Sequence, residues 1–501
     1  MRGNFPLICS YVLSESCIKL RRRKICDRGG ATGGTMKDNK KPAGNKVAGF
    51  FKWIGRDIKD IGVTFKEGDW KTRLSYVIMG FGPLMRKLYA RGIAFLALEV
   101  VFFYYMITFG GDYLAKFTTL GTQETGWDQK TGLRVYGDNS FLILLYGLLT
   151  IIFIIAFILL WRMNVRENRN EELRLKEGHP LQTNAQDLRS LLDSNFDKTL
   201  LALPVLGIFI FTVLPIIFMI CVAFTNYDYN HQAPSKLFTW VGFANFKNLV
   251  NFGSAGFGTT FFKVLGWTLI WAFFATFLNY FLGMAVAILI NKKGVKFKKL
   301  WRTILVMTIA IPQFVSLLYV SKMFAADGLI NSYLMKWGWI KEAIPFWTNP
   351  MLARIVIIVI NIWVGIPYIV LITTGILMNI PEDLYESARI DGANAWQMFR
   401  KITLPYMLFV TGPYLLTSYT GNLNNFNIIY LLNGGAPKNI NLTGGAGSTD
   451  LLVTWLYKMT VNDTNYCMAA VIGIMVFVVT AVISLIVYGL LPSVKDEEGF
   501  Q

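Results

Sequence analysis

Apolar residues run through this chain in blocks of about twenty, the length that carries a helix across the hydrocarbon core of a bilayer. Such blocks fall at 92–109, 140–161, 199–224, 264–290, 303–324, 351–378, 402–432 and 467–491, the seventh interrupted by polar residues. They predict an all-α polytopic membrane protein with about eight transmembrane helices. Ahead of the first block, Val47, Phe51, Ile54, Ile58 and Ile61 recur at helical spacing, with Lys52, Arg56 and Lys59 between them. This pattern predicts an amphipathic helix within 47–74, either lying on the inner leaflet or packed as a cytoplasmic helix. The polar stretch 162–198 reads as a soluble connector between two groups of spans.

Composition sharpens the class. Of 501 residues, 54% are hydrophobic and only 16% are charged, against about a quarter charged in a soluble globule. A net charge of +18 raises the possibility of nucleic acid, but the cations sit beside the apolar blocks. There are 13 Lys and Arg from Met36 to Arg91, 7 in 162–198 and 6 in 291–302, against 3 in 110–139, 3 in 225–263 and 2 in 325–350. The rich segments alternate with the poor ones, which places the rich segments, both termini and the stretch 379–401 in the cytoplasm. No nucleic-acid partner is expected. Cys9, Cys17, Cys26, Cys221 and Cys467 have no zinc or disulfide spacing. In residues 1–35 the basic block follows the apolar run, the reverse of a signal peptide. Met36 opens a polar segment and is read as the initiator, which leaves 1–35 untranslated.

Between the sixth and seventh blocks lies "MNIPEDLYESARIDGANAWQMFRKITLP" (378–405). Pro381 suits a first helical turn, and Glu382 and Asp383 favour the positive helix start. A short helix from Pro381 to about Ile390 is expected, closed by Gly392 in the left-handed conformation. A second follows from Ala395 to Lys401. Two short helices at a fixed angle make a rigid knob, with Leu384, Ala388, Trp396 and Phe399 as apolar surface and Glu386 and Arg389 as charge.

This stretch closely resembles the cytoplasmic "EAA...G" loop of binding-protein-dependent ABC importer permeases. The resemblance rests on Glu386, Ala388, Asp391, Gly392, Ala393, Phe399, Ile402, Leu404 and Pro405, with Ser387 in place of the usual alanine. "FTWVGFANFKNLV" (238–250), "KKLWRTILVMTIAIPQFVS" (298–316), "IWVGIPYIVLITTGIL" (362–377), "NNFNIIYLLNGGAP" (424–437) and "AGSTDLLVTWLYKMT" (446–460) resemble the larger permease subunit of maltose and maltodextrin importers. The likeness covers 199–491 well and the first two spans weakly. The loop between the third and fourth spans is short, where enterobacterial relatives carry a folded domain. The resemblance implies a bacterial inner-membrane permease with a six-helix core over 199–491. The span pair 92–161 would be an addition, 1–91 a cytoplasmic N-terminal region and 492–501 a cytoplasmic tail. It implies a second permease subunit, two ATPase subunits and an extracytoplasmic sugar-binding protein as partners, besides membrane lipid. Contacts to the ATPase fall to Glu386, Ser387, Ala388, Asp391, Gly392, Ala393 and Phe399 in the coupling loop 379–401.

A neutral oligosaccharide needs amides and hydroxyls for its hydroxyl groups and aromatic rings for its apolar faces. The seventh block carries "SYTGNLNNFN" (418–427). On one helix Ser418, Asn422 and Asn425 share a face, while Asn424 and Asn427 point elsewhere. Asparagines at membrane depth must line a wet cavity or bond between helices. The sixth block carries Trp363 and Tyr368 around Gly365 and Pro367, and Gly365 would let a sugar approach the backbone. Family contacts carried over residue by residue fall on Trp363, Gly365, Tyr368, Ser418, Asn422 and Asn425. An aromatic family contact falls on Gly421, which offers no ring to a sugar. For each residue the alternative is interhelical packing.

The chain holds no Gly-Lys dipeptide, so no P-loop, and no His-Glu-x-x-His or Gly-x-Ser-x-Gly. No catalytic residue, metal ligand or cofactor is therefore expected, and ATP hydrolysis falls to separate subunits. His179 and His231 lie in loops on opposite sides. Glu99, inside the first block, reads as a carboxyl bonded to a neighbouring helix. It is also the residue on which a rival reading, an ion-coupled secondary transporter, would depend. Another rival keeps the importer but changes the cargo to galacto-oligosaccharides or another glycan. The expected activity is alternating-access import of maltose or maltodextrin.

Overall fold

A computed structural model describes residues 45–490 apart from 128–131, 133, 182, 253–255 and 293. The proposed start at Met36, three of the cysteines and the tail 492–501 lie outside the described residues. Those residues are overwhelmingly helical, as expected for an all-α membrane protein. The described strands are one short antiparallel ribbon, Gly126–Trp127 with Arg134–Val135.

Six helices are long and apolar enough to cross a membrane: Tyr89–Lys116, Ser140–Lys176, Phe196–Ala223, Phe257–Asn291, Pro350–Leu377 and Tyr466–Gly489. The fifth expected span is not one rod. Lys298–Ala310 and Gln313–Met323 meet at 91°. Ile311 is extended there (φ −80°, ψ 124°), because Pro312 has no N–H to give and excludes helical geometry from the residue before it. Counted as one bent span, the pair raises the total to seven. The expected seventh block is a helix Leu404–Leu423, a break, and a second helix Phe426–Asn433. Thr411, Ser418, Gly421, Asn422 and two prolines keep it below the hydropathy of the others, so the expected eight is not reached on length and composition.

Two other expectations need correction. The amphipathic helix runs Asn45–Glu67 and stops. A Cβ at Gly68 would lie 2.6 Å from the Thr64 carbonyl, and Asp69 then caps a separate helix, Trp70–Leu74, by accepting from Thr72 N–H. The connector does not begin at 162: the second span continues as helix to Lys176. Its polar residues have partners. Arg162 pairs with Asp57, and Arg169 pairs with Glu67 at 3.0 Å. The N-terminal helix is thus fastened along its charged side to the second span.

Beneath it lies a buried charged network. Arg86, whose side chain is 2% exposed, meets Asp69 at 3.0 Å and Glu171 at 3.5 Å, and donates to Asn168 at 2.9 Å. Burial works against the Asp69 carboxylate, yet the Thr72 hydroxyl and N–H and the Arg86 guanidinium together hold its pKa below the usual value. That contribution to stability is present above about pH 4 and is lost as the pH falls through the lowered value.

Elsewhere the spans carry their apolar side chains outward. Only 6% of the most apolar stretch of Phe196–Ala223 is buried, and Phe211 is 81% exposed. Contiguous surface of this kind belongs against lipid or another subunit.

Removing one member of a buried ion network strands the rest. Arg86→Met is expected to lower stability by roughly 3–5 kcal/mol, read as a lower thermal unfolding midpoint of the purified protein in detergent. An unchanged midpoint would show that the network contributes nothing.

Candidate functional site

Two regions carry the candidate chemistry, one at each end of the same helix. The first is the knob. Pro381 precedes a helix Glu382–Ile390, with Glu382 and Asp383 in its first turn. Gly392 (φ +78°) closes it, with Ala393 N–H donating to the Ala388 carbonyl at 2.8 Å. This is the bonding of a glycine-closed helix end. Asn394 and Gln397 then bond reciprocally, at 2.9 and 2.8 Å, to start Ala395–Met398. A π-helical turn, Phe399–Thr403, joins this helix to Leu404–Leu423 without a loop. Tyr385 bonds Thr403 at 2.8 Å and ties the first short helix to the base of the long one. Glu386, Ser387, Asp391 and Gly392 are exposed, and Ala388, Ala393 and Phe399 are half-buried. Ile390 is 87% exposed and Trp396, whose ring lies 5.5 Å from that of Phe399, 66%, which gives the protrusion an outward-facing apolar tip.

The second region is a polar belt. Apolar residues of three packed helices gather in two clusters, one with Trp271, Ala275, Ile357, Ile360 and Leu423, the other with Tyr280, Met284, Ile369, Met407 and Leu415. Along each helix the interval between the clusters carries polar side chains: Thr276 and Asn279 on the first, Asn361 on the second, and Thr417, Ser418, Thr420 and Asn422 on the third. Asn422 donates to Thr276 Oγ1 at 2.9 Å, and its carbonyl accepts Trp271 Nε1 at 3.1 Å. Asn425 donates to Asn422 Oδ1 at 3.2 Å. Ser418 lies beside the Tyr414 hydroxyl, and the Tyr414 ring lies 6.3 Å from that of Tyr368. The structure therefore joins Asn422 with Asn425 by a hydrogen bond and groups Ser418 and Tyr368 around Tyr414. Trp363 and Tyr368 are 57% and 50% exposed. Gly421 is exposed, and a side chain added there would meet open space.

Two details differ from the sequence expectation. Asn425 does not share a helical face with Ser418 and Asn422, because the helix ends at Leu423. Asn425 instead caps the next helix by accepting from Ile428 N–H. It reaches Asn422 across the break. Gly365 does not present bare backbone. The Asn279 amide fills the space beside it, so that a Cβ at Gly365 would collide with that amide.

Sequence reasoning missed Thr276, Asn279, Asn361 and Tyr414. Asn279 and Asn361 are buried, and Asn279 Oδ1 and Asn361 Nδ2 have no hydrogen-bond partner among the described residues. Each is a lone amide in an apolar run, a visible signal. The acceptor and the donor lie about one helical turn apart, since Asn279 occupies the place of a side chain at 365.

Other candidates behave structurally. Glu99 is buried and accepts Met79 N–H at 2.8 Å. His231 pairs with Asp228. Among the described residues no group of His, Cys, Asp and Glu is placed to hold a metal.

Known proteins share this architecture. Residues 279–496 match the model of the family described as binding-protein-dependent transport system inner membrane component. The chain is 36% identical over 432 residues to a maltodextrin transport system permease protein, MalC, of Streptococcus pneumoniae, covering 84% of this chain and 96% of that one. It is 36% identical over 424 residues to a galactooligosaccharides transport system permease protein, GanP, of Bacillus subtilis, covering 84% and 97%. A solved bacterial alginate ABC transporter, in complex with a pentasaccharide-bound periplasmic protein, matches with a TM-score of 0.50 at 23% identity, covering 61% of this chain and 97% of that one. With this extent of similarity along nearly its whole described length, the chain belongs to the binding-protein-dependent transport system inner membrane components, the membrane permeases of ABC importers.

Proposed function

We propose that this permease imports neutral oligosaccharides, maltodextrins foremost, with the polar belt as its cargo site and the knob as its coupling to an ATPase. The continuity of the two regions is the observation that carries this reading. The knob passes through a π turn directly into the helix that bears Ser418 and Asn422, so a push on one end moves the other. Glu386, Ser387, Asp391 and Gly392 would face the ATPase, with Ala388, Ala393 and Phe399 beneath them. Two ATPase subunits, a second permease and an extracytoplasmic sugar-binding protein complete the assembly. Both termini lie in the cytoplasm, and the core comprises 199–491.

Chemistry supports the cargo class. The belt offers amides, hydroxyls and the rings of Trp363 and Tyr368, and no charge. Its exposed side, at Trp363, Tyr368 and Gly421, closes into a cavity against the second permease. The cycle is alternating access: ATP binding draws the knobs together and turns the cavity outward, and hydrolysis returns it. The GanP relative is also 36% identical, over 424 residues, so galacto-oligosaccharides are the second cargo reading. Uptake of radiolabelled maltotriose against galactotriose by the reconstituted complex separates them.

The ion-coupled reading is disfavoured because Glu99 is occupied by a backbone N–H. Glu99→Gln is expected to leave uptake within about twofold of normal; loss of uptake with the protein still inserted would favour ion coupling.

A residue other than glycine at 392 must hold a left-handed backbone, at roughly 1–2 kcal/mol, which shifts the angle between the two short helices. Gly392→Val is expected to cut ATP-driven uptake at least about tenfold, a loss of about 1.4 kcal/mol of coupling, while the protein still inserts. Full uptake would detach the knob from the mechanism.

Asn422→Ala removes the bonds to Thr276 and Asn425 and any bond to cargo. A lost neutral bond of about 0.5–1.5 kcal/mol raises the half-saturating sugar concentration roughly 2- to 10-fold, with assembly intact on size-exclusion chromatography. An unchanged sugar dependence would reduce Asn422 to interhelical packing.

A further inference from the structure

The end of the bundle opposite the knob holds a cavity of about 360 Å³ whose wall includes Lys263, Trp267, Arg354, Ser448 and Asp450. Arg354 is the fifth residue of Pro350–Leu377, about 35 Å at 1.5 Å per residue from the end of that helix that leads to the knob. Its guanidinium sits 4.6 Å over the Trp267 ring, and its Nε donates to the Ser448 carbonyl at 3.0 Å. Trp267 Nε1 donates to the neighbouring Thr449 carbonyl at 3.1 Å. The arginine is thereby held in one orientation by a ring face and a backbone carbonyl.

The charges of the wall do not cancel. Asp450 is already satisfied by Lys458 at 2.6 Å, by Gly447 N–H at 2.6 Å and by Thr454 at 2.9 Å. Lys263 and Arg354 remain, and among the described residues neither has a carboxylate partner. With Nε used, the terminal nitrogens of Arg354 keep the planar fork that matches a carboxylate bidentately. A sugar hydroxyl would not balance two cations; a carboxylate does.

We propose that this cavity is a docking socket for an acidic side chain of the extracytoplasmic protein that delivers the cargo. The proposal rests on the importer reading above. Delivery then places a carboxylate against Lys263 and Arg354, beside the loop 434–451, whose Asn439, Gly447, Ser448 and Asp450 line the cavity. Partner choice and on-rate gain from such a pair, and both weaken with salt.

The test uses the complete complex in liposomes with its delivery protein loaded with maltotriose. ATP hydrolysis is titrated with that protein at low and high ionic strength. In Arg354→Gln the half-saturating concentration rises about tenfold at low salt, its salt dependence flattens, and hydrolysis without the delivery protein is unchanged. Arg354→Lys retains most of the salt dependence. Lys263→Gln gives a smaller shift in the same direction; because Lys263 is exposed, this variant decides the matter where Arg354→Gln fails to assemble. Unchanged half-saturation and salt slope in both glutamine variants overturn the proposal. It is equally overturned if the variants lose only the transport of a uronate-bearing glycan, which would assign the carboxylate to cargo. Absence of stimulation by delivery protein in the unsubstituted complex refutes the importer reading itself.

Discussion

Inside a bilayer a polar side chain must find its partner within the protein, and this constraint orders the middle of the bundle. Three helices with apolar neighbours on either side bring Thr276, Asn279, Asn361, Ser418 and Asn422 to one level. Thr276 and Asn422 bond across helices. Asn279 and Asn361 each keep one buried atom unpaired, at about 1–3 kcal/mol apiece. A bundle that only needed to be stable would do better with leucine at those positions. Leu404–Leu423, which falls short of the apolar stretches of the six spanning helices, is also the helix that bears Ser418 and Asn422 and continues into the knob. Its low hydropathy follows from the site it carries.

Rigidity at the other end comes from local bonding. A glycine-closed helix end, a reciprocal Asn394–Gln397 cap and the Tyr385–Thr403 bond leave the two short helices little freedom relative to the long one. The π turn at Phe399–Thr403 replaces a flexible linker. Such turns insert one residue into a helix and re-aim its C-terminal part without breaking it. On the proposed reading, force applied at the exposed tip reaches Asn422 through hydrogen-bonded helix alone. The N-terminal helix and the charged network around Arg86 form a separate bracket against the second span, away from this line of transmission.

Much of this was legible in the sequence. The positions of most spans follow from apolar length, and the knob's two helices and its left-handed Gly392 follow from Pro381, the acidic first turn and the glycine. The asparagines of 418–427 announce themselves because nothing in lipid satisfies them. The features that stayed hidden depended on partners distant in the chain. A run of suitable length at 303–324 reads as one rod, although Pro312 turns it through 91°. The polar residues after 162 read as solvated because Asp57, Glu67 and Asp69, their partners or those of Arg86, lie about a hundred residues earlier. Helical spacing put Asn425 on the face of Asn422, whereas a helix break and a side-chain bond bring them together. Gly365 read as bare backbone because its neighbour, Asn279, sits on another span.

The central claim is that movement at the knob opens the polar belt to the outside. Accessibility of a cysteine at the open position, Gly421→Cys, to a membrane-impermeant thiol reagent added from the extracytoplasmic side tests it most directly. In the assembled complex the account predicts rapid labelling when a non-hydrolysable ATP analogue is bound, slow labelling without nucleotide, and loss of that difference when Gly392→Val is added. Equal labelling in the presence and absence of nucleotide would contradict it.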